Sequence, residues 1–193
     1  MLTEGFPCRR WGWSEGFVYS LQFIVYSLRF TVYSLRFTVY SLQMITLLSE
    51  EIWDFDLEAG LREISEQRRE QALKFKYELG QRLCVLAYQL LKKGLCEEYG
   101  ITENPIFEYN EHGKPSIVGH PEIFFNMSHC KYAAACVISD KPIGIDVESI
   151  REYREGLVSY TMNDEEVHEI ESAENPAAAF IRLWTMREAT MKL

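Results

Sequence analysis

Asp146 and Glu148 sit two residues apart in the run Ile143-Gly-Ile-Asp146-Val-Glu148. In an extended strand, alternate side chains face the same way, so the two carboxylates share one face about 7 Å apart while Ile145 and Val147 pack behind. Paired hard oxygen groups suit Mg²⁺, which takes one or two protein carboxylates and completes its shell with water and phosphate oxygens. The plain alternative is a solvated strand face. A second set lies in Trp184-Thr-Met-Arg187-Glu188-Ala-Thr-Met-Lys192. Glu188 and Lys192 share a helical face with Trp184 one turn earlier, an arrangement that serves equally as an ordinary surface ion pair. Phe124-Phe-Asn126-Met-Ser128-His129 reads as a strand ending in a polar pair, and His112-Gly-Lys114-Pro115 reads as a turn. Taken singly, the last two are a structural histidine and a hairpin as readily as a site.

The elements that must carry these residues alternate in period. Residues 44–48 read as a short strand. Residues 57–75 show a helical pattern with a polar interior stretch, and residues 79–99 form the strongest helix, with Leu83, Leu86, Ala87, Leu90, Leu91 and Leu95 on one stripe. Gly100 is a natural stop. Short β-like runs follow at 106–109, 124–127, 133–139 and 143–147, separated by hairpin-length turns. The remainder from residue 163 is helical, with a new helix starting near Pro176. Helices, then short strands, then helices predict an α+β fold rather than a doubly wound parallel sheet.

With 193 residues and 47% hydrophobic content, the chain has material for a core, which excludes wholesale disorder. The formal charge of −9 excludes a protein that tracks a nucleic-acid backbone. The five cysteines, at 8, 84, 96, 130 and 136, form no CxxC pair and are expected to be reduced, mostly buried thiols of a cytoplasmic protein. No run is long and apolar enough to span a bilayer, so no membrane partner is expected. Residues 18–45 are four copies of one heptapeptide, opening at Val18, Val25, Val32 and Val39. An odd period sends successive copies to opposite strand faces, and Tyr and Phe spoil a coiled-coil seam. Residues 1–43 are therefore expected to be an extension outside the fold, with Met44 as a natural start; the plain alternative is a flexible or membrane-attracted tail whose basic residues are Arg9, Arg10, Arg29 and Arg36.

In their order and spacing, Gly-Lys-Pro, Phe-Asn-x-Ser-His, Gly-Ile-Asp-x-Glu and Trp-Thr-x-x-Glu-Ala-x-x-Lys resemble the Sfp-type 4'-phosphopantetheinyl transferases over residues 44–193. The resemblance implies a pseudo-twofold pair of α+β halves with antiparallel sheets, 44–142 and 143–193, the second half incomplete because family members continue past the position of Leu193. It implies Mg²⁺-dependent transfer of phosphopantetheine from coenzyme A to a serine of an acyl or peptidyl carrier protein, releasing adenosine 3',5'-bisphosphate. Asp146, Glu148 and Glu188 would hold the metal, and Lys192 would reach the diphosphate. Glu166, with Glu165 as runner-up, would be the general base. Lys114, Pro115, Ser128 and His129 would bind the coenzyme, with Arg68 and Arg82 at looser phosphate positions. Arg187 stands where the family usually has Lys. The expected molecule is a monomer whose carrier docks through a local basic or apolar patch. The rivals are a truncated, inactive relic that at most binds coenzyme A, and a plain acidic α+β interaction protein.

Overall fold

The computed structural model describes the backbone of residues 19–25, 28–31, 37–39, 42–153 and 156–193, with side chains from residue 48 onward. Strands β1 (Tyr19–Val25), β2 (Leu28–Thr31), β3 (Phe37–Val39) and β4 (Leu42–Ser49) come first. Helices α1 (Leu57–Glu63), α2 (Glu66–Leu73) and α3 (Glu78–Tyr99) follow. Next come β5 (Phe107–Tyr109), β6 (Pro115–Ile117), β7 (Phe124–His129), β8 (Ala134–Ser139) and β9 (Ile143–Ser149). Helices α4 (Leu157–Thr161), α5 (Asp164–Ser172) and α6 (Pro176–Met191) close the chain. The paired strands are antiparallel throughout, so the α+β class holds.

The stretch 57–75 is two helices rather than one. Ser65 adopts an extended backbone and its Oγ accepts the Arg68 N–H, a cap that starts α2 where the periodic pattern alone runs on. α3 ends at Gly100, whose φ of 67° supplies the left-handed stop. The turn at 110–113 continues into β6, which pairs with β5 too briefly for the sequence pattern to mark it. α5 begins with a capping box between Asn163 and Glu166, and α6 with Asn175 capping and Pro176 in the first turn.

β8 organises the interior by period two. Ala134, Cys136 and Ile138 turn toward α3 and its leucine stripe, while Ala133, Ala135 and Val137 meet Ile143, Ile145 and Val147. A third cluster, including Val158, Met162, Ile170, Phe180 and Ile181, packs the last three helices together. Cys84, Cys130 and Cys136 are buried thiols and Cys96 is exposed; Cys8 lies outside the described residues. Among the described residues, no helix is long and apolar enough to cross a membrane.

Strand order is β3-β4-β8-β7 in one sheet and β2-β1-β9 in another. Between β7 and β9 the usual ladder is replaced by side chains. Asn126 Oδ1 accepts the Ile145 N–H at 3.4 Å, and Ser128 Oγ accepts the Val147 N–H at 3.3 Å. The other edge of β9 pairs with β1 in a continuous register from Tyr19↔Ser149 to Val25↔Ile143. The expectation that residues 1–43 stand outside the fold falls in good part on residues outside those described. Where backbone is described, β1 lies along β9 and α6 packs across both.

Candidate functional site

The face of β9 that carries Gly144, Asp146 and Glu148 meets α6. At Gly144 the approach is so close that a Cβ atom would lie 2.0 Å from the Ala189 carbonyl oxygen, so only glycine fits there. That contact brings the C-terminal end of α6 down onto the acidic pair. Lys192 Nζ lies 2.6 Å from Asp146 Oδ1 and donates to Ser128 Oγ at 3.2 Å and to the Ile145 carbonyl at 3.4 Å. The hydroxyl of Ser128 in turn donates to Asp146 Oδ1 at 2.7 Å. Asp146 is 5% exposed, and its Oδ2 is buried without a hydrogen-bond partner. Burial, followed by the charge of Asp146, pushes the Glu148 carboxyl above its ordinary range, with Arg151 and Lys192 pulling the other way.

Glu188 does not complete a triad. Among the described residues, no three His, Cys, Asp or Glu side chains gather into a group that holds a metal ion. On β9 the acidic pair Asp146 and Glu148 has the Lys192 ammonium beside Asp146. Three carboxylates in close contact repel strongly, whereas Lys192 supplies the charge that Asp146 needs where it is buried.

A cationic side of the site forms around His129, which keeps an edge toward solvent. Its pKa is lowered, first by desolvation and then by the charges of Arg68 and Lys192. Arg68 is buried and donates to the Cys84 carbonyl and to Gln71, with no carboxylate partner among the described residues. Lys114 donates to the Leu193 carbonyl, and burial lowers its pKa. Pro115 opens β6 opposite Tyr109. Lys114, Ser128, Asp146 and Lys192 thus converge on the end of α6, while Arg68 and His129 flank them.

Arg82 does not join this group. Its guanidinium donates to Glu78 and to the carbonyls of Ile52 and Phe55, and lies over the rings of Trp53 and Phe55. It pins the 52–55 turn to α3. Glu166 is engaged at both ends of its own helix start: its Oε2 accepts the Asn163 N–H at 2.9 Å and a donation from Arg187, which also binds the Thr161 carbonyl. Glu165 is exposed. The Arg187–Glu166 pair joins α6 to α5, a link the sequence spacing does not show because the two residues lie 21 positions apart. Asn126, hidden inside a strand-like run, likewise has a positioning role that only the β7–β9 seam reveals. Beside Glu148 opens a cleft of about 540 Å³, lined in part by Tyr153, Leu157, Phe180, Ile181 and Trp184.

Residues 142–193 match the 4'-phosphopantetheinyl transferase superfamily. The chain is 31% identical over 133 residues to a 4'-phosphopantetheinyl transferase of Bacillus pumilus, an alignment covering 67% of this chain and 57% of that protein. It is 34% identical over 111 residues to one from Aneurinibacillus migulanus, covering 56% of this chain and 46% of that protein. With the transferase Sfp of Bacillus subtilis (strain 168) it shares 26% identity over 132 residues, 67% of this chain and 59% of the relative. The chain therefore spans about half to three fifths of the length of these relatives.

Proposed function

We propose that the chain is an Sfp-type 4'-phosphopantetheinyl transferase, as its similarity to that superfamily over residues 142–193 and to the Bacillus transferases supports, and that it transfers phosphopantetheine from coenzyme A to a serine of an acyl or peptidyl carrier protein. The observation that carries the reading is the buried, unpartnered Oδ2 of Asp146 beside Glu148, with Lys192 and His129 at its margin. An orphaned buried carboxylate oxygen next to a second carboxylate is a donor set of hard oxygens, and two such groups suffice for Mg²⁺. Asp146 and Glu148 would hold the ion. When bound, Mg²⁺ offsets diphosphate charge and orients its oxygens.

The remaining work falls to the chain itself. The serine oxygen forms a bond to the β-phosphorus of coenzyme A as the bridging P–O bond to the α-phosphate breaks. The phosphodiester stays on the carrier, and adenosine 3',5'-bisphosphate departs with the bridging oxygen. Lys192 meets the diphosphate, while Arg68 and Lys114 supply positive charge to the nucleotide phosphates and the neutral His129 ring a hydrogen bond. Glu166 takes the serine proton, held in place by the Asn163 N–H and by Arg187. The apolar side of the cleft beside Glu148 suits the uncharged pantetheine arm. In the same reading, residues 44–142 and 143–193 belong to two pseudo-twofold halves, and the protein acts in the cytoplasm as a monomer.

Incubating the protein with coenzyme A, Mg²⁺ and apo carrier, then weighing the carrier, tests the activity. A phosphopantetheine mass gain is expected, lost with chelator and in Asp146→Ala. An unchanged carrier mass refutes transfer. That no three His, Cys, Asp or Glu side chains gather to hold a metal ion among the described residues favours one other reading, coenzyme A binding without transfer. Binding detected by calorimetry alongside an unmodified carrier would single it out.

A further inference from the structure

Lys192 has a second property, set by the position of its ammonium rather than by any substrate. It caps α6, whose end is held on β9 by the Gly144–Ala189 contact, and its Nζ lies on the carboxylate of Asp146 at 2.6 Å. Asp146 is the more buried member of the acidic pair, and its Oδ2 has no other partner. One buried negative charge does not hold an ammonium and a divalent ion equally well, because the two cations repel across a few ångströms of poorly screened space. Ser128 ties the two competitors together: its hydroxyl donates to Asp146 and accepts from Lys192, so moving the ammonium also frees a lone pair there.

We propose that Lys192 is a resident counter-ion of Asp146 that a divalent cation displaces, so that metal loading releases the ammonium toward the diphosphate. The inference rests on the reading of Asp146 and Glu148 as metal ligands and adds an exchange step to it. The release has somewhere to go: Lys192 carries 31% side-chain exposure against 7% for Asp146, so the ammonium end swings outward without unpacking the core. Lys192 is then a positioning residue for metal entry before it contacts substrate.

The first arm of the test needs no variant. The whole chain is titrated with Mn²⁺ alone, followed by the loss of the free-ion paramagnetic resonance signal, and at each point its lysines are acylated briefly and read by peptide mass spectrometry. Acylation of Lys192 is expected to rise severalfold with Mn²⁺ occupancy, while the exposed Lys141 stays constant. Lys192→Met is expected to bind Mn²⁺ about tenfold more tightly than the parent chain, the factor that about 1.4 kcal/mol of competing interaction represents. Mn²⁺ binding with unchanged Lys192 acylation overturns the exchange and leaves the ligand assignment standing. Absence of Mn²⁺ binding to the parent chain and to Lys192→Met removes both. Should Lys192→Met fail to fold, the acylation arm on the parent chain decides alone.

Discussion

His129 feels charge from three directions: Arg68 on α2, Lys192 beyond α6 and Asp146 on β9. Desolvation and the two cations outweigh the carboxylate, so the folded protein holds this imidazole neutral further into acid than the unfolded chain does. Between the lowered folded value and the ordinary one near about 6.5, the unfolded chain binds the extra proton. The stability His129 allows is therefore complete above that ordinary value and declines as pH falls below it. Urea midpoints measured from about pH 7.5 to 5 should drop in acid, and His129→Gln should flatten the drop in that window. A variant as steep as the parent would place the dependence elsewhere. At this scale the sequence is legible where chemistry follows strand alternation, as with Asp146 and Glu148. It is not legible where partners are distant in the chain: Lys192 on Asp146, Arg187 on Glu166 and Ser128 under both are contacts made by folding. Spacing showed that Lys192 and Glu188 share a helical face, and it held no information on which carboxylate the ammonium would reach.

Among elements, the α6–β9 contact sets the site. Gly144→Ala would drive a Cβ into the Ala189 carbonyl, and because the obstacle is backbone the helix must move. A loss of about 2–3 kcal/mol is expected from denaturant unfolding, as for overpacked cores. The same shift should tighten Mn²⁺ binding, since it carries the competing Lys192 ammonium away from Asp146. A variant with unchanged unfolding would show that the contact is slack. Ser65→Ala should cost about 1 kcal/mol by removing the cap of α2, measured the same way. Long periodic elements were readable in advance: α3 from its leucine stripe, α6 from Pro176 onward, β8 and β9 from their apolar runs. The break at Ser65 was hidden because the apolar pattern continues across it. β6 and α4 are three and five residues long, too short for any period to register.

For the molecule as a whole, three apolar clusters are joined by few direct ladders. β9 belongs to the sheet with β1, so the heptapeptide segment meets the strand that bears Asp146. Removing residues 1–41, which spares β4, would bare an edge of β9. The ladder predicts a lower urea midpoint and self-association visible by light scattering. Unchanged values would return the segment to the role of a dispensable extension. Repeat arithmetic alone said nothing of a backbone edge needing a partner. On its other side β9 hangs from β7 by Asn126 and Ser128, two side chains in place of a main-chain ladder. On this edge the Ile145 and Val147 amides rest on side chains that can rotate while every ladder bond of β7 and β8 stays closed. Acidic strand and lower sheet then become separately breathing bodies, and amide exchange at Ile145 and Val147 should outpace that of Val137 in the same protein.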